Sequence, residues 1–326
     1  MRMGYVLLAC AGVIATAGTI PATAQDFPTR PVTMVVPFPP GGAGDILSRM
    51  IGPRLEQKWG KPLVVENKPG AGSLIAAAAV QKATPDGYTL LIAPSGTMAT
   101  NVTLYKALPY DPTKDFVPLA LAAQTPFVLI VHPDLPVKTV ADLIKLAKER
   151  DGKLSYASAG PGVPHHLFAE LLKTMTGIKM THVPYKGSMP SLNDVVAGHV
   201  PLMFVDLGPA LPMIRAGKVR AIGVSTANRL AALPDVPPVG DTVPGFGAAS
   251  WQMIAAPAKT PRPVVDKLHA DFTSVLAMPE VKEQIAKTGM VPMDRSMTIP
   301  ELQKFIASEI DRWGKVVKQA GIAGSQ

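Results

Sequence analysis

Three short loops rich in glycine and small polar residues are the parts of this sequence best suited to binding a ligand. The first spans residues 37–45 and reads PFPPGGAGD, between a β-rich run and a helical pattern. Glycine lets the backbone approach a ligand closely, and the unpaired N–H groups at the start of a helix attract an anion. The alternative is an ordinary loop in which Asp45 caps the first helical turn. The sequence leaves both readings open, and we expect an anion site.

Two further loops have the same character. Residues 157–166 read ASAGPGVPHH and residues 93–97 read APSGT; each loop follows a β-rich run and contains a serine, Ser158 or Ser95. In α/β proteins, ligands bind at the carboxyl ends of parallel strands. If the loops belong to two facing units, they line one cleft. Each well-placed helix N-terminus would then stabilise an anion by about 0.3–1 kcal/mol.

Signatures of catalysis and of metal binding are scarce. The glycines of the first loop match neither the dinucleotide fingerprint nor the phosphate loop that ends in Gly-Lys-Ser/Thr. The six histidines show no zinc-ligand spacing, and the neighbours His165 and His166 would point in different directions on a helix. We therefore predict a protein that is not an enzyme, with no catalytic residues, no metal site and no cofactor. The alternative is a secreted hydrolase or transferase that uses Ser95, Ser158 or Ser225.

The composition excludes several classes of protein. The chain has 326 residues, of which 47% are hydrophobic and 17% charged, so it can bury a large core and is not intrinsically disordered. The 34 prolines and 28 glycines argue against a coiled coil. The formal charge of +8 is spread without a basic cluster, and aromatic residues make up only 6%, so no nucleic-acid partner is expected.

The first 24 residues have the pattern of an export signal. Arg2 precedes a short apolar stretch, and Ala-Thr-Ala at residues 22–24 matches the small-x-small site of signal peptidase. We predict cleavage after residue 24, which leaves 302 residues with a formal charge of +7 and removes the lone cysteine, Cys10. The alternatives are an uncleaved anchor and a lipoprotein signal that ends at Cys10.

The rest of the chain alternates β-rich runs with helical patterns, which predicts parallel sheets flanked by helices. A β-α-β-α-β order covers residues 32–93, and the alternation starts again near residue 127. The last part, from about residue 264, is mainly helical and must pack on one of the two units. We predict a first lobe made of residues 25–125 plus 226–326, and a second lobe, residues 126–225, inserted into it.

Eight short segments, spread over almost all of the chain after residue 24, have the sequence and order of one family of receptors. They are FPTRP at 27–31, PFPPGG at 37–42 with Asp45, VENKPGAG at 65–72, PDGYTLL at 85–91, LPYDP at 108–112 with KDF at 114–116, VPYKG at 183–187, IRAGKVR at 214–220 and LPDVP at 233–237. Their number and order make the match specific. The sequence resembles the periplasmic solute-binding receptors of tripartite tricarboxylate transporters, the Bug family.

This resemblance implies an α/β fold of the type II periplasmic-binding kind. Two lobes, each a mostly parallel sheet flanked by helices, would close on a ligand like a Venus flytrap. The resemblance also implies a monomer in the periplasm that captures a small organic carboxylate through backbone amides of glycine-rich loops. It would deliver the carboxylate to membrane permease subunits or present it to a sensor kinase. The ligand-binding residues implied by position are Phe38, Gly41, Gly42, Ala43, Gly44, Asp45, Ser95, Gly96, Ser158, Gly160, Gly162, His166, Tyr185, Lys186, Gly187 and Asp206.

The sequence departs from the family pattern at two places. Members often carry Ser or Thr between the glycines and the aspartate of the first loop, where this chain has Ala43 and Gly44. They also commonly carry Thr or Ser after the glycine of the second loop, where this chain has Val163 and Pro164. Two hydroxyl donors are therefore missing. Their loss favours a ligand with one carboxylate and a less polar body over a hydroxyl-rich, citrate-like ligand.

Overall fold

The computed structural model describes residues 27–326, which form two β-sheets flanked by helices and confirm the α/β class. The strands in this range are β1 (Val32–Val36), β2 (Leu63–Asn67), β3 (Thr89–Pro94), β4 (Phe116–Thr125), β5 (Phe127–Val131), β6 (Ser155–Ser158), β7 (Thr181–Pro184), β8 (Leu202–Asp206), β9 (Arg220–Val224), β10 (Ser250–Pro257) and β11 (Val291–Pro292). The helices are α1 (Ala43–Trp59), α2 (Leu74–Gln81), α3 (Asn101–Leu104), α4 (Val140–Arg150), α5 (Pro164–Thr176), α6 (Ser188–Val196), α7 (Leu207–Arg215), α8 (Arg262–Leu276), α9 (Pro279–Lys287) and α10 (Ile299–Gln319).

The segment predicted to be an export signal, residues 1–24, lies outside the described residues, as does Cys10. Between residues 27 and 326, no helix combines the length and the apolar character needed to cross a membrane. The 21-residue α10 instead has a buried apolar stripe and an exposed charged face.

Both sheets are mixed, which corrects the prediction of mostly parallel sheets. The first sheet has the strand order β11-β4-β10-β3-β1-β2; β1 is parallel to β2 and β3, and the other three pairs are antiparallel. The second sheet has the order β7-β6-β8-β5-β9; β6 is parallel to β7 and β8, whereas β5 is antiparallel to both its neighbours. β5 and β10 are the first strands after the chain crosses from one sheet to the other. Each begins at the edge where its neighbouring strands end, so it runs antiparallel to them.

The sequence pattern predicts neither β4 nor β10, and the reason is their burial. β10 is buried at all 8 of its positions, so it lacks the apolar–polar alternation of a half-exposed strand. β4 is also almost entirely buried and contains Pro118. Helices α8, α9 and α10 confirm the helical character of the C-terminal part, but β10 and β11 join that part to the first sheet.

One edge of each sheet collects the loops that the sequence marks as binding loops. β1, β2, β3 and β4 end at this edge of the first sheet, and β6, β7, β8 and β9 end at the corresponding edge of the second. A single residue, Pro126, joins the end of β4 to the start of β5. The N–H of Leu207 donates to the Pro126 carbonyl at 3.2 Å, and the N–H of Ser225 donates to that of Phe127 at 2.8 Å. The two carboxyl edges therefore adjoin.

Helix α10 packs against elements of both sheets. The buried Glu309 accepts hydrogen bonds at Oε2 from the indole Nε1 of Trp251 in β10, at 2.9 Å, and of Trp313, at 3.1 Å. The Trp313 ring stacks on Phe168 of α5 with centroids 5.5 Å apart. One carboxylate thus orients two tryptophans, of which one belongs to the first sheet and the other packs against the second.

Glu309→Leu is expected to lower the free energy of unfolding by about 2–4 kcal/mol. Two buried indole N–H groups would lose their acceptor, and each unsatisfied donor costs about 1–3 kcal/mol. Urea denaturation followed by circular dichroism measures the loss. Asp311→Ala is the matched control, because Asp311 pairs with Lys315 on the exposed face of the same helix and contributes at most about 0.5 kcal/mol. Equal losses in the two variants would contradict the assignment of Glu309 as a structural acceptor.

Candidate functional site

The loop after β1 is folded around the side chain of Asp45. The buried carboxylate accepts hydrogen bonds from the Gly41 N–H at 3.0 Å, the Asn67 amide at 3.1 Å and the Arg49 Nε at 3.0 Å. Asn67, at the end of β2, also donates to the carbonyl oxygen of Phe38 at 2.9 Å. Asp45 is therefore not the N-cap of α1. It lies in the first helical turn and holds the preceding loop in place.

Asp45 is ionised at neutral pH. Burial opposes ionisation, but hydrogen bonds from Arg49, the Gly41 N–H and Asn67, together with the charge of Arg49, hold the pKa of this carboxyl below its ordinary value. Its oxygen atoms accept from the loop, from the end of β2 and from α1. The carboxylate therefore shapes the loop, and the adjacent Arg49 balances its charge.

The N-terminus of α1 has no side-chain cap. Gly42 is the N-cap residue, with φ −76° and ψ 166°, and has no side chain that could accept from the first helical N–H groups. Those N–H groups belong to Ala43, Gly44 and Asp45. Gly41 has φ +90°, a left-handed conformation that glycine adopts without strain. The positive end of a 17-residue helix is thus open to an anion.

Side chains from the ends of three strands add polar groups at the same edge of the first sheet. Ser95 follows β3, and its Oγ lies 3.0 Å from the Oγ of Ser250, the first residue of β10. Thr125 pairs directly with Ser250, so their side chains share one face of the sheet. The Thr125 Oγ1 is buried and has no hydrogen-bond partner within residues 27–326. Gln252 is also buried, and its Oε1 is 3.5 Å from the position that a Cβ on Gly44 would take.

Sequence reasoning missed Thr125, Ser250 and Gln252. They belong to β4 and β10, the two strands without an alternating pattern. The available signal is the polar residues that bound each buried run, Gln-Thr at the end of β4 and Ser-Trp-Gln at the start of β10. Only the antiparallel pairing brings those two chain segments together at one edge.

The predicted second loop, after β6, is held by side chains of its own sheet. The Gly160 N–H donates to the Ser158 Oγ at 3.1 Å, and that Oγ is 2.6 Å from the His182 Nε2. The Gly162 N–H donates to the His166 Nδ1 at 3.0 Å. The amides of these two glycines, like that of Gly41, were expected to face a ligand, but they are bonded to side chains. Their role is to set the shape of the loop.

The second loop touches the first sheet's half of the molecule. Gly162 has φ +72°, and a Cβ added there would lie only 2.1 Å from Cδ2 of Leu104 in α3. Helix α3 follows the third predicted loop, at Ser95 and Gly96. A glycine is favoured at this position, because the backbone is left-handed and a side chain would push against Leu104. The second loop therefore contacts the helix that follows the third loop.

Asp206, at the end of β8, forms a compact polar group with two residues near helix starts. Its Oδ2 is 3.0 Å from the Nε2 of His165 and 2.9 Å from the Oγ of Ser188. Burial opposes ionisation of Asp206, but the charge and hydrogen bond of His165, with the Ser188 hydroxyl, hold its pKa below the ordinary value. The His165 Nδ1 is buried and unpartnered within the described residues. Of this group, sequence reasoning had selected Asp206 alone for the site.

The three consecutive predicted residues after β7 have different surroundings. The hydroxyl of Tyr185 donates to Oδ2 of Asp194 in α6 at 2.6 Å, and burial together with that carboxylate raises the pKa of Tyr185 to about 12. Lys186 is exposed. Gly187 is the N-cap of α6, with φ +132° and no side chain to cap the helix. The Tyr185 hydroxyl is thus engaged within its own sheet.

A serine hydrolase receives little support from the three candidate serines. Ser158 has a close histidine, His182, but it is completely buried, and its Oγ already accepts the Gly160 N–H. Ser95 contacts Ser250, and the Ser225 Oγ accepts the N–H of Phe127 at 3.0 Å. No group of three His, Cys, Asp or Glu side chains in the described part of the chain could hold a metal ion.

A cavity of about 530 Å³ lies away from all the predicted loops. It is bounded by the chain that follows β9, residues 226–232, and by parts of β10, α9, β11 and α10. None of the predicted ligand-binding residues lines it. We place the candidate site at the adjoining carboxyl edges, where the glycine-rich loops lie.

The chain is similar to a family model, to curated relatives and to solved structures over most of its length. The family model for the tripartite tricarboxylate transporter family receptor matches residues 47–322. Protein BugT of Bordetella pertussis is 35% identical over 319 residues, 97% of each chain. The structure of R. palustris Rpa4515 with adipate is 40% identical, has a TM-score of 0.82 and matches over 91% of this chain and 99% of its own. MatC from Rhodopseudomonas palustris, with bound malate, is 34% identical, has a TM-score of 0.77 and matches over 89% of this chain and 100% of its own.

These likenesses confirm the resemblance carried by the eight sequence segments. They extend over nearly all of the described residues, and the related structures share the α/β fold with two mixed sheets. The chain therefore belongs to the tripartite tricarboxylate transporter receptor family, the Bug family of periplasmic solute-binding proteins.

Proposed function

We propose that this protein captures a small organic carboxylate between two lobes and delivers it to the membrane subunits of a tripartite transporter. The observation that carries the proposal is the uncapped N-terminus of α1, at Gly42, on the same sheet edge as the hydroxyls of Ser95, Ser250 and Thr125. N–H and O–H donors gathered at one edge match the oxygen atoms of a carboxylate. Export through a cleaved signal, residues 1–24, belongs to the same proposal.

The two lobes of the proposal are residues 25–125 plus 226–326 and residues 126–225. The membership of the strands supports this division, because β5 to β9 form one sheet and the remaining strands form the other. The chain crosses between the sheets at Pro126 and again after Ser225. Closure about these two crossings would bring the second loop, at Gly162, onto Leu104 beside the bound anion.

The two halves of the cleft have different chemistry, which bears on the class of ligand. The half at α1 presents uncharged donors, and Phe38 beside it exposes 43% of its surface. The half at β8 presents the carboxylate of Asp206, which is hydrogen-bonded to His165 and Ser188. We propose that one carboxylate of the ligand binds at α1 and that its body is short and largely apolar. Adipate and malate, which are bound by related proteins, are the first compounds to test.

A thermal-shift screen of the mature protein tests the proposal. The panel contains adipate, malate, citrate and benzoate, with glucose as the neutral control. A carboxylate at about 100 times its Kd stabilises the protein by about 2.7 kcal/mol, which raises the Tm of a chain of this length by roughly 4 °C. Small-angle X-ray scattering with the same compound should give a smaller radius of gyration. Stabilisation by glucose and by none of the acids would overturn the assignment of a carboxylate.

Delivery to a transporter needs a separate measurement. Uptake of the radiolabelled ligand by cells is expected to depend on this protein, and to be lost when its site is inactivated. If uptake continues unchanged in cells that lack the protein while the purified protein binds the ligand, the function is to present the ligand to a sensor and not to transport it.

A further inference from the structure

A stack of aromatic rings with two histidines lies directly beneath the second loop. The rings of His166 in α5 and His182 in β7 are 3.9 Å apart and 7° from parallel. The ring of Tyr156 in β6 lies 5.1 Å from His182 on the same stack. His166 is only 3% exposed. The binding function proposed above does not explain why two ionisable rings are packed together under a ligand loop.

Charged groups reach this stack from its own helix. Oε1 of Glu170 is 3.7 Å from the Nε2 of His166, and it also accepts hydrogen bonds from the Tyr156 hydroxyl and, at 2.6 Å, from the Lys173 ammonium. The negative charge of Glu170 is therefore largely balanced by Lys173. It offers little additional stabilisation to a positive charge on His166.

The carboxylates on the other elements packed against α5 are already paired, and β8 carries Asp206, which is bonded to His165 and Ser188. From β7 the stack receives His182, whose pKa burial lowers, and from β6 it receives Ser158 and Tyr156. Helix α10, which packs on α5, carries Glu309 and Arg312, and these two pair with each other at 3.4 Å. A positive charge on His166 would thus lie beside the His182 ring, the Glu170 carboxylate that Lys173 already neutralises, and the Lys173 ammonium itself.

The hydrogen bond from Gly162 fixes the protonation of His166. An N–H group donates to the Nδ1, so that nitrogen must carry a lone pair and the proton of the neutral ring must sit on Nε2. A second proton can enter only at Nδ1, where it would face the Gly162 N–H and break the bond. Burial, followed by the neighbouring His182, lowers the pKa of His166 to about 4.

We propose that His166 is a positioning residue that holds the second loop closed only while its ring is neutral, which makes ligand binding sensitive to acid. Protonation removes the acceptor for Gly162, and the loop then leaves its contact with Leu104. The effect on affinity rests on the proposed carboxylate site, whereas the effect on the loop does not.

The sign and size of the pH dependence follow from linkage. With the loop closed, the pKa of His166 is about 4, below the ordinary value of about 6.5 that a released ring would regain. The closed state is therefore fully favoured above pH 6.5 and loses stability as the pH falls from 6.5 towards 4. If release is complete, affinity at pH 5.0 is up to about 30-fold lower than at pH 7.5.

His166→Asn is the variant that separates positioning from packing. The Oδ1 of asparagine can take the place of Nδ1 and accept the Gly162 N–H, but it does not titrate. His199→Asn is the control, since His199 is exposed and lies outside the stack. Adipate affinity is measured by calorimetry from pH 7.5 to 5.0 for each protein. The ratio of wild-type to variant affinity at each pH removes the protonation of adipate itself.

A second measurement needs no ligand. In protein labelled with ¹⁵N-glycine and ¹³C-histidine, the amide signal of Gly162 should shift with the same midpoint as the ring of His166, below pH 5. In His166→Asn the Gly162 signal should stay in place over that range.

The outcomes separate this proposal from the proposed function. If adipate does not bind at all but the Gly162 signal follows His166, the choice of ligand is wrong and the positioning role stands. The positioning role is overturned if the Gly162 signal does not change as His166 titrates. It is also overturned if the affinities of the wild type, His166→Asn and His199→Asn fall in parallel as the pH is lowered.

Discussion

Asp45→Ala is expected to weaken carboxylate binding by at least about 100-fold, a loss of about 2.7 kcal/mol in binding free energy. The carboxylate joins the Gly41 N–H, Asn67 and Arg49, and its removal frees the loop in front of α1. The N–H groups at the start of the helix attract an anion only while that loop leaves them uncovered and aligned. Disorder in the loop must then be reversed at every binding event.

Calorimetry with adipate, or with the strongest ligand of the screen, measures the loss. Asp45→Asn keeps one acceptor oxygen for Gly41 and should lose only about 10-fold. Asp266→Ala is the matched control, because Asp266 pairs with Arg262 four residues away on the exposed face of α8, as Asp45 pairs with Arg49 in α1. The control should bind as the wild type does.

The opposite outcome is informative in this case. Removal of Asp45 leaves Arg49 without its carboxylate, and a free guanidinium beside the loop could itself attract an anion. Binding that is unchanged or tighter in Asp45→Ala would show that charge, and not aligned amides, determines affinity. The free energy of unfolding should fall by about 2 kcal/mol in either case, because hydrogen bonds to a charged, buried acceptor are lost.

Gly42→Val is expected to abolish binding, with an affinity at least about 1,000-fold lower, while the fold is retained. At Gly42 the backbone has φ −76° and ψ 166°, which valine adopts readily. A Cβ there would be 3.7 Å from the Pro39 carbonyl oxygen and 3.8 Å from Cβ of Phe38, both ordinary contacts. The two methyl groups would occupy the space in front of the Ala43 and Gly44 N–H groups, where the anion is proposed to bind.

Gly42→Val should reduce ligand affinity strongly and protein stability only slightly. Valine is a poorer N-cap than glycine, so the free energy of unfolding should fall by no more than about 1 kcal/mol. Gly44→Ala provides the contrast: its Cβ would lie 3.2 Å from Cγ2 of Ile92, so it should cost stability as well as affinity. If Gly42→Val binds normally, the first loop is not part of the site.

Local patterns predicted most of the helices and the parallel strands. β1, α1 and β2 could be read from short apolar runs, helical spacing and glycine-rich turns, and each lies close to its predicted position. The pattern gave no sign of β4 or β10, because strands that are buried on both faces do not alternate. Without them, the reversal of β5 and β10 and the mixed character of both sheets could not be predicted.

The residues of the candidate site also fall into a predictable group and an unpredictable group. The glycine-rich loop at Gly41 and Gly42 could be predicted because close approach and an open helix start require particular residue types in one short segment. The polar groups of Thr125, Ser250 and Gln252 could not be predicted, since Thr125 is more than 100 residues away from the other two and meets them through strand pairing alone. The same limit applies to the histidine stack under the second loop.

By itself, then, the sequence determined the family, the α/β class and the loops that can expose N–H groups to an anion. These depend on interactions between residues close together in the chain. Only the tertiary structure decided which of those N–H groups remain open. In the folded protein the N–H groups of Gly41, Gly160 and Gly162 donate to the side chains of Asp45, Ser158 and His166, respectively. The start of α1 has no side-chain cap. Whether a donor is satisfied depends on where a side chain comes to rest in the packed fold, and spacing along the chain does not specify this.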